Sequence, residues 1–190
     1  AHRVFEPGPR LKAKAPTLPA ILARNGYRTG AITENGMLMR SVGFGRGFDP
    51  SLELRKPEPL DTPGFIAEGV ERAKEWLGRY GKERFFLFLH TYQVHAPYEP
   101  PEEYDRFRHA GTASQPGRAA YAGEVLYTDH EVGRFLEFLD SSGLSDNTGV
   151  LITSDHGESF GEHGRLGHGS ALFEEELQVP LLLRAPGRSQ

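Results

Sequence analysis

Five consecutive apolar residues, Phe85-Phe86-Leu87-Phe88-Leu89, stand between Glu83-Arg84 and His90. A run without alternation has no polar side to turn toward water, so it predicts a strand buried on both faces, as in a parallel sheet sandwiched by helices. The flanking sequence supplies the elements such a strand needs. Leu18, Ile21 and Leu22 recur at helical spacing behind Pro16-Thr17, and Asn25-Gly26 gives a stop before a strand over Tyr27 to Thr33. Asp61-Thr62-Pro63 reads as an N-cap with proline in the first turn, and Ile66, Val70, Ala73, Leu77 and Tyr80 form one apolar stripe ending at Gly81. Val125, Leu126, Val132, Phe135, Leu136 and Leu139 repeat the helical spacing from about Arg118 to Leu139, closed by Ser142-Gly143. A strand follows directly and ends at Asp155, and Val179 to Arg184 reads as the last one. The Gly- and Pro-rich stretch from Gly43 to Pro63 is expected to be surface loop.

The resulting order, α-β-α-β-α-β-loop-β, predicts an α/β fold, a mainly parallel sheet flanked by helices. A leading helix with no strand before it, and the start Ala1-His2-Arg3-Val4, imply that the sheet's first strand lies upstream. With 190 residues, 37% of them hydrophobic, the chain can bury one sizeable core, so residues 1–190 are expected to be a single, partial domain. A formal net charge of -4 gives no basic footprint for nucleic acid, and no apolar run is long enough to form a transmembrane segment. The absence of cysteine excludes disulfides, thiolate ligands and a cysteine nucleophile within these residues.

The chemistry concentrates after the third long apolar strand, in Ser154-Asp155-His156-Gly157-Glu158, followed by Glu162-His163-Gly164 and Gly167-His168-Gly169. Asp155 offers a hard oxygen, His156 a neutral nitrogen, and the glycines let the backbone turn tightly, a set that suits a divalent metal. Strand ends of this kind are also where open parallel sheets place their ligands. His95, in the proline-stiffened loop Tyr92-Gln93-Val94-His95-Ala96-Pro97, is a candidate hydrogen-bond donor to an anionic substrate or leaving group, and His168 a candidate cationic neighbour of the metal. Glu34 follows the first strand, is placed by the same rule at the crevice, and is a further candidate to bind the substrate. His90, His130 and His163 are weaker candidates, and the acidic runs Glu102-Glu103 and Glu174-Glu175-Glu176 read as solvated faces without chemistry.

Taken together these motifs resemble the sulfatase family of the alkaline-phosphatase-like superfamily. The resemblance rests on Asn25-Gly26-Tyr27-Arg28-Thr29, Arg46-Gly47-Phe48-Asp49, the strand and His-Ala-Pro-Tyr loop within Phe86 to Pro101, Thr153 to Glu158 with the later Gly-His-Gly, and Val179-Pro180-Leu181. It implies a partial alkaline-phosphatase-like catalytic domain that hydrolyses sulfate esters. Asp155 and His156 would be ligands of Ca2+ or a similar divalent ion (Mg2+, Mn2+ or Zn2+), while His95 and His168 would contact sulfate or leaving-group oxygen. The implied substrate is a small-molecule or glycan sulfate ester, attacked at sulfur by a hydroxyl nucleophile, and the implied location is extracytoplasmic, periplasmic or secreted. The family's Cys-x-Pro-x-Arg segment, whose cysteine matures to formylglycine, has no counterpart here and is expected upstream. These residues alone are therefore expected to lack turnover. Where many sulfatases carry Gly-Lys-Trp-His, this sequence has Thr33-Glu34-Asn35-Gly36. Relatives that act on phosphodiesters or phosphonates, phosphoethanolamine-type transferases, and a non-catalytic anion-binding module are the alternatives.

Overall fold

A computed structural model describes residues 15–34, 38, 40–54, 63–107, 117–169 and 171–186. They fall into two compact units, one within 1–99 and 128–135, the other within 100–127 and 136–190.

The first unit is built on a parallel sheet. Strand β1 (Arg28–Thr33) lies in the middle, with β2 (Ser51–Glu53) on one side and β3 (Phe85–Leu89) on the other. The register pairs Ala31 with Ser51 and, on the other side, Arg28 through Ile32 with Phe85 through Leu89. Helix α1 (Leu18–Arg24) precedes β1, its first turn closed by Thr17, whose hydroxyl accepts from the Ala20 amide at 3.3 Å. Helix α2 (Ile66–Tyr80) buries Ile66, Val70, Ala73, Trp76 and Leu77, the stripe expected from the sequence with tryptophan added and Tyr80 left out. Its outer face carries Arg72 between Glu68 and Glu75, and Lys74 beside Glu71, surface pairs that water screens and that add little to stability. Phe44, Phe48, Phe86 and Phe88 form an aromatic cluster with ring centroids 5.3–6.3 Å apart, beside a cavity of about 310 Å³ that Leu18 and Pro19 also line.

Two departures from expectation sit in this unit. The stretch read as loop contains β2, a three-residue edge strand whose single apolar side chain, Leu52, is exposed, so it leaves no hydrophobic pattern. Helix α2 begins at Ile66 and not at Pro63, with Phe65 as its capping residue and no side-chain cap of its own; Asp61 and Thr62 lie outside the described residues.

Trp76 reaches the sheet at Gly30, where an added Cβ would lie 2.6 Å from the indole Cε2. Gly30→Val is expected to lower stability by about 2–3 kcal/mol, the cost of overpacking a filled site. A fall in the urea midpoint at unchanged m-value would show it.

In the second unit, β4 (Val150–Thr153) pairs with β7 (Leu181–Arg184), antiparallel, with Leu151 opposite Leu183 and Thr153 opposite Leu181. The last strand thus departs from the parallel order of the sheet in the first unit. Leu151, Leu181 and Leu183 stand exposed on one face of this pair. A short hairpin, β5 (Ser159–Phe160) with β6 (Leu166–Gly167), follows β4, and the one-turn helix α4 (Glu174–Leu177) precedes β7. Helix α3 (Arg118–Ser141) contributes Ala120 and Leu139 to the buried side, and Tyr121 packs edge-on against Phe160 at 5.0 Å. The buried residues of α3 also include Glu124 and Glu131, while Val125 is exposed, so its apolar stripe is less regular than the sequence suggested. Within the stretch 128–135 of α3, which belongs to the first unit, Arg134 explains one of them, bridging Glu131 at 2.8 Å and Glu71 at 2.9 Å. At the end of α3, Asp140 pairs with Arg184 of β7, which holds the carboxyl below the usual carboxylate range. No helix among the described residues is long and apolar enough to cross a membrane.

Candidate functional site

Strand β4 hands the chain to Ser154-Asp155-His156-Gly157-Glu158, and the β5–β6 hairpin folds the following glycine-rich segment back over it. With Ser159 opposite Gly167 in that hairpin, the residues just outside it, Glu158 and His168, are brought side by side. His168 Nδ1 lies 3.2 Å from both Glu158 oxygens. The ring of His168 stacks on that of His156, centroids 3.9 Å apart and 22° from parallel. Asp155 and His156, neighbours in sequence, hold Oδ1 and Nε2 3.8 Å apart. Three of the residues singled out by sequence therefore share one small region of the second unit.

The proton positions follow from the partners. His156 Nδ1 lies 2.8 Å from the Gly157 carbonyl, which can only accept, so Nδ1 carries the hydrogen and Nε2 is left with the lone pair in the neutral ring. That is how ligating histidines are commonly oriented, with the far nitrogen tied to a carbonyl. The same reasoning gives His168 a hydrogen on Nδ1 toward Glu158 and directs its chemistry to Nε2. Burial, joined by the charge of Glu158, pushes the Tyr121 hydroxyl above its usual pKa.

The donor set fits a hard or borderline divalent ion in part. Asp155 projects with its side chain 83% exposed and His156 offers an oriented nitrogen, but no group of three or more metal-binding side chains occurs among the described residues. These two supply ligands and not a whole coordination sphere.

Short α4 holds this region together in a way the sequence did not disclose. Its acidic run is not a solvated face: Glu176 is 4% exposed, and its Oε2 accepts from the Gly169 amide at 2.7 Å. The Glu176 carbonyl accepts from the Gly157 amide, also at 2.7 Å. One residue thus clasps the turn after His156 and the turn after His168. Glu175 accepts from His163 Nδ1 at 2.8 Å, a hydrogen bond that lowers its pKa, and the His163 ring lies on Phe173 with centroids 3.9 Å apart. His163 is engaged in the scaffold of its own loop.

The first unit carries the other candidates. His95 Nδ1 lies 2.8 Å from the Ala96 carbonyl, which fixes its hydrogen there, and its ring stacks on Tyr92 at 4.0 Å. Glu34, at the end of β1, is 1% exposed, and its Oε2 accepts from the amides of Phe65 at 2.8 Å and Tyr92 at 3.0 Å. Gln93 Oε1 accepts from the Ile66 amide at 3.3 Å. Glu34 and Gln93 together therefore take over the capping of α2. His90 lies parallel to Phe88 at 6.4 Å, and His130 sits on α3 with Nδ1 3.6 Å from Glu131.

Glu158, Glu176, Tyr92 and Gln93 were not picked out by sequence. The nearest signal was for Glu158, which stands inside the Ser-Asp-His-Gly-Glu motif itself.

Comparison with known proteins places these observations. The Sulfatase family model matches residues 2–190. Iduronate 2-sulfatase of Mus musculus is 38% identical over 97 residues, 50% of this chain and 16% of that protein. Steryl-sulfatase of Rattus norvegicus is 32% identical over 142 residues, 68% of this chain and 23% of that protein. The chain thus spans less than a quarter of the length of either relative. Among solved structures, a protein in the alkaline phosphatase superfamily from Vibrio parahaemolyticus superposes with a TM-score of 0.60 at 24% identity, covering 90% of this chain and 41% of that one. The fold is alkaline-phosphatase-like.

Proposed function

The chain belongs to the sulfatase family, and on that premise we propose that the protein carrying it hydrolyses sulfate esters with the aid of a divalent metal. The observation that supports the reading most is the cluster of Asp155, His156 and His168, in which two stacked imidazoles each have Nδ1 tied to an oxygen.

Asp155 Oδ1 and His156 Nε2 are the proposed ligands, and Ca2+ the proposed ion, which when bound would supply positive charge to the ester's oxygens. His168 holds Nδ1 toward Glu158, which orients the ring, and its imidazole is proposed to hydrogen-bond an ester oxygen. As negative charge grows on the departing oxygen, that hydrogen bond strengthens and lowers the barrier. His95, in its own loop with Nδ1 on the Ala96 carbonyl, is the second imidazole proposed to contact the ester. The substrate class we assign is a small-molecule or glycan sulfate ester, and the location extracytoplasmic.

The experiment is hydrolysis of an aryl sulfate by the full-length protein, before and after chelation and with Ca2+ added back. Turnover that chelation abolishes and Ca2+ restores is expected, whereas residues 1–190 alone are expected to show none. Restoration by Zn2+ or Mn2+ in place of Ca2+ would change the ion and keep the reaction. Cleavage of phosphodiesters or phosphonates with sulfate esters untouched would overturn the reading in favour of phosphoryl chemistry. The feature favouring that second reading is Thr33-Glu34 with a buried carboxylate, where many sulfatases carry a lysine and a histidine. No turnover of either ester would leave an anion-binding module.

A further inference from the structure

We propose that Glu34 is a positioning residue that sets the imidazole of His95, acting through Tyr92 and never touching the substrate; this rests on the reading above that His95 contacts the ester. A carboxylate 1% exposed needs strong donors, and Oε2 has two, the amides of Phe65 and Tyr92, 31 and 58 residues away in sequence. One is the capping residue of α2 and the other opens the loop that carries His95. Charged acceptors are favoured at a helix's first amides, so a single carboxylate oxygen ties the start of the helix to the loop.

Neighbouring contacts leave the loop little room to move. Gly64 lies so close to Gln93 that a Cβ would be 2.3 Å from the Gln93 Cα and 2.4 Å from its nitrogen. Gln93 returns the contact by accepting from the Ile66 amide, and its own amide is held by the Thr91 hydroxyl at 3.1 Å. Tyr92 then carries the constraint to His95 twice. Its carbonyl accepts from the His95 amide at 3.0 Å, and its ring lies on the imidazole, 4.0 Å between centroids and 18° from parallel. With Nδ1 bound to the Ala96 carbonyl, both the place and the tautomer of the imidazole depend on a peptide whose amide Glu34 holds.

The test is a double-mutant cycle in the full-length protein, reading kcat and KM on an aryl sulfate and the His95 ring signals by NMR with 13C-labelled histidine. Glu34→Ala is expected to lower kcat about 10- to 100-fold, the effect of misplacing a reacting group by an ångström or less, with KM changed under about 3-fold. In a His95→Ala background the same substitution should cost under about 3-fold, because its target is gone. Glu34→Gln should restore most of the rate, since its amide oxygen can accept the same two N–H groups. A merely structural role predicts a lower Tm and a rate loss of the same size in both backgrounds, and that result would overturn the proposal. If Glu34→Ala does not fold, Tyr92→Leu serves in the same cycle. It should cost about 10-fold in kcat and nothing further in the His95→Ala background, and equal losses in both would again refute the link. If the protein cleaves no sulfate ester, the functional reading fails but the NMR arm still decides this one. The His95 ring resonances should shift with Glu34→Ala and stay with Glu34→Gln; unchanged resonances in Glu34→Ala would sink it.

Discussion

Asp155→Ala is expected to weaken binding of Ca2+ to the full-length protein by more than about 100-fold while leaving the Tm of the metal-free protein within about 1 °C of wild type. The affinity figure follows from the cost of disturbing even the partners of a ligand, roughly 10- to 100-fold, which loss of the ligand itself should exceed. The unchanged Tm follows from exposure: a carboxylate 83% open to solvent gives up little packing when truncated. Titration calorimetry measures the first quantity. Melting with and without Ca2+ measures both, because a ligand that binds only the folded state raises Tm in proportion to the logarithm of its concentration over Kd. Wild type should therefore gain Tm with added Ca2+ and Asp155→Ala should not. An affinity within about 3-fold of wild type would remove Asp155 from the proposed ligand set, whatever the fate of the sulfatase reading.

The second large effect concerns a residue with no side chain. An added Cβ at Gly157 would lie 2.1 Å from the Glu175 carbonyl oxygen and 3.1 Å from its carbon, and neither backbone atom can swing aside. Gly157→Ala must push α4 away from the His156 turn, stretching the bond between the Gly157 amide and the Glu176 carbonyl. Overpacking at 1–3 kcal/mol and a weakened hydrogen bond at about 1 kcal/mol together predict a loss of about 2–4 kcal/mol. Because Glu176 also holds the Gly169 amide, the displacement reaches His168, and the rate should fall with the stability. Gly164→Ala is the comparison: open space surrounds its Cβ and only its φ of +68° resists, so about 1 kcal/mol is the expected loss. Urea unfolding of the two variants separates steric clash from backbone strain. Equal losses would show that the contact with Glu175 relaxes more easily than its backbone character suggests.

The sequence made some of this legible and hid the rest for identifiable reasons. Phe85 to Leu89 declared a parallel strand because five apolar residues leave no polar face, although all five are half-buried and not enclosed, and the α2 stripe was visible from its periodicity. Strand β2 was invisible, since three residues with one exposed leucine carry no pattern, and the direction of β7 could not be read from Leu181-Leu182-Leu183, which pairs equally well either way. At the site, Asp155, His156 and His168 stood out by residue type and glycine spacing, and the structure brings the two imidazoles into contact. Glu34 stood out only by its place at a strand end, and the carboxylates Glu158 and Glu176 did not stand out. An acid can be buried only where distant segments deliver amides or an imidazole to it, and in Glu34 that partner arrives from Tyr92, far along the chain. Local rules assign such acids to solvent, which is why Glu174-Glu175-Glu176 was read as a charged surface when its third member is enclosed.

Trp76 is the only tryptophan in the chain. It lies in the first unit, pressed on Gly30, with Tyr80 and Phe85 at 5.2 and 6.0 Å and no acceptor for its indole N–H among the described residues. Its emission is thus a private optical signal of the α2–sheet unit, starting from an apolar surround and shifting to longer wavelength when water arrives. The second unit is dark in that channel and visible only through circular dichroism or tyrosine absorbance. Denaturation followed by the two signals would register whether the units come apart in one step or in two.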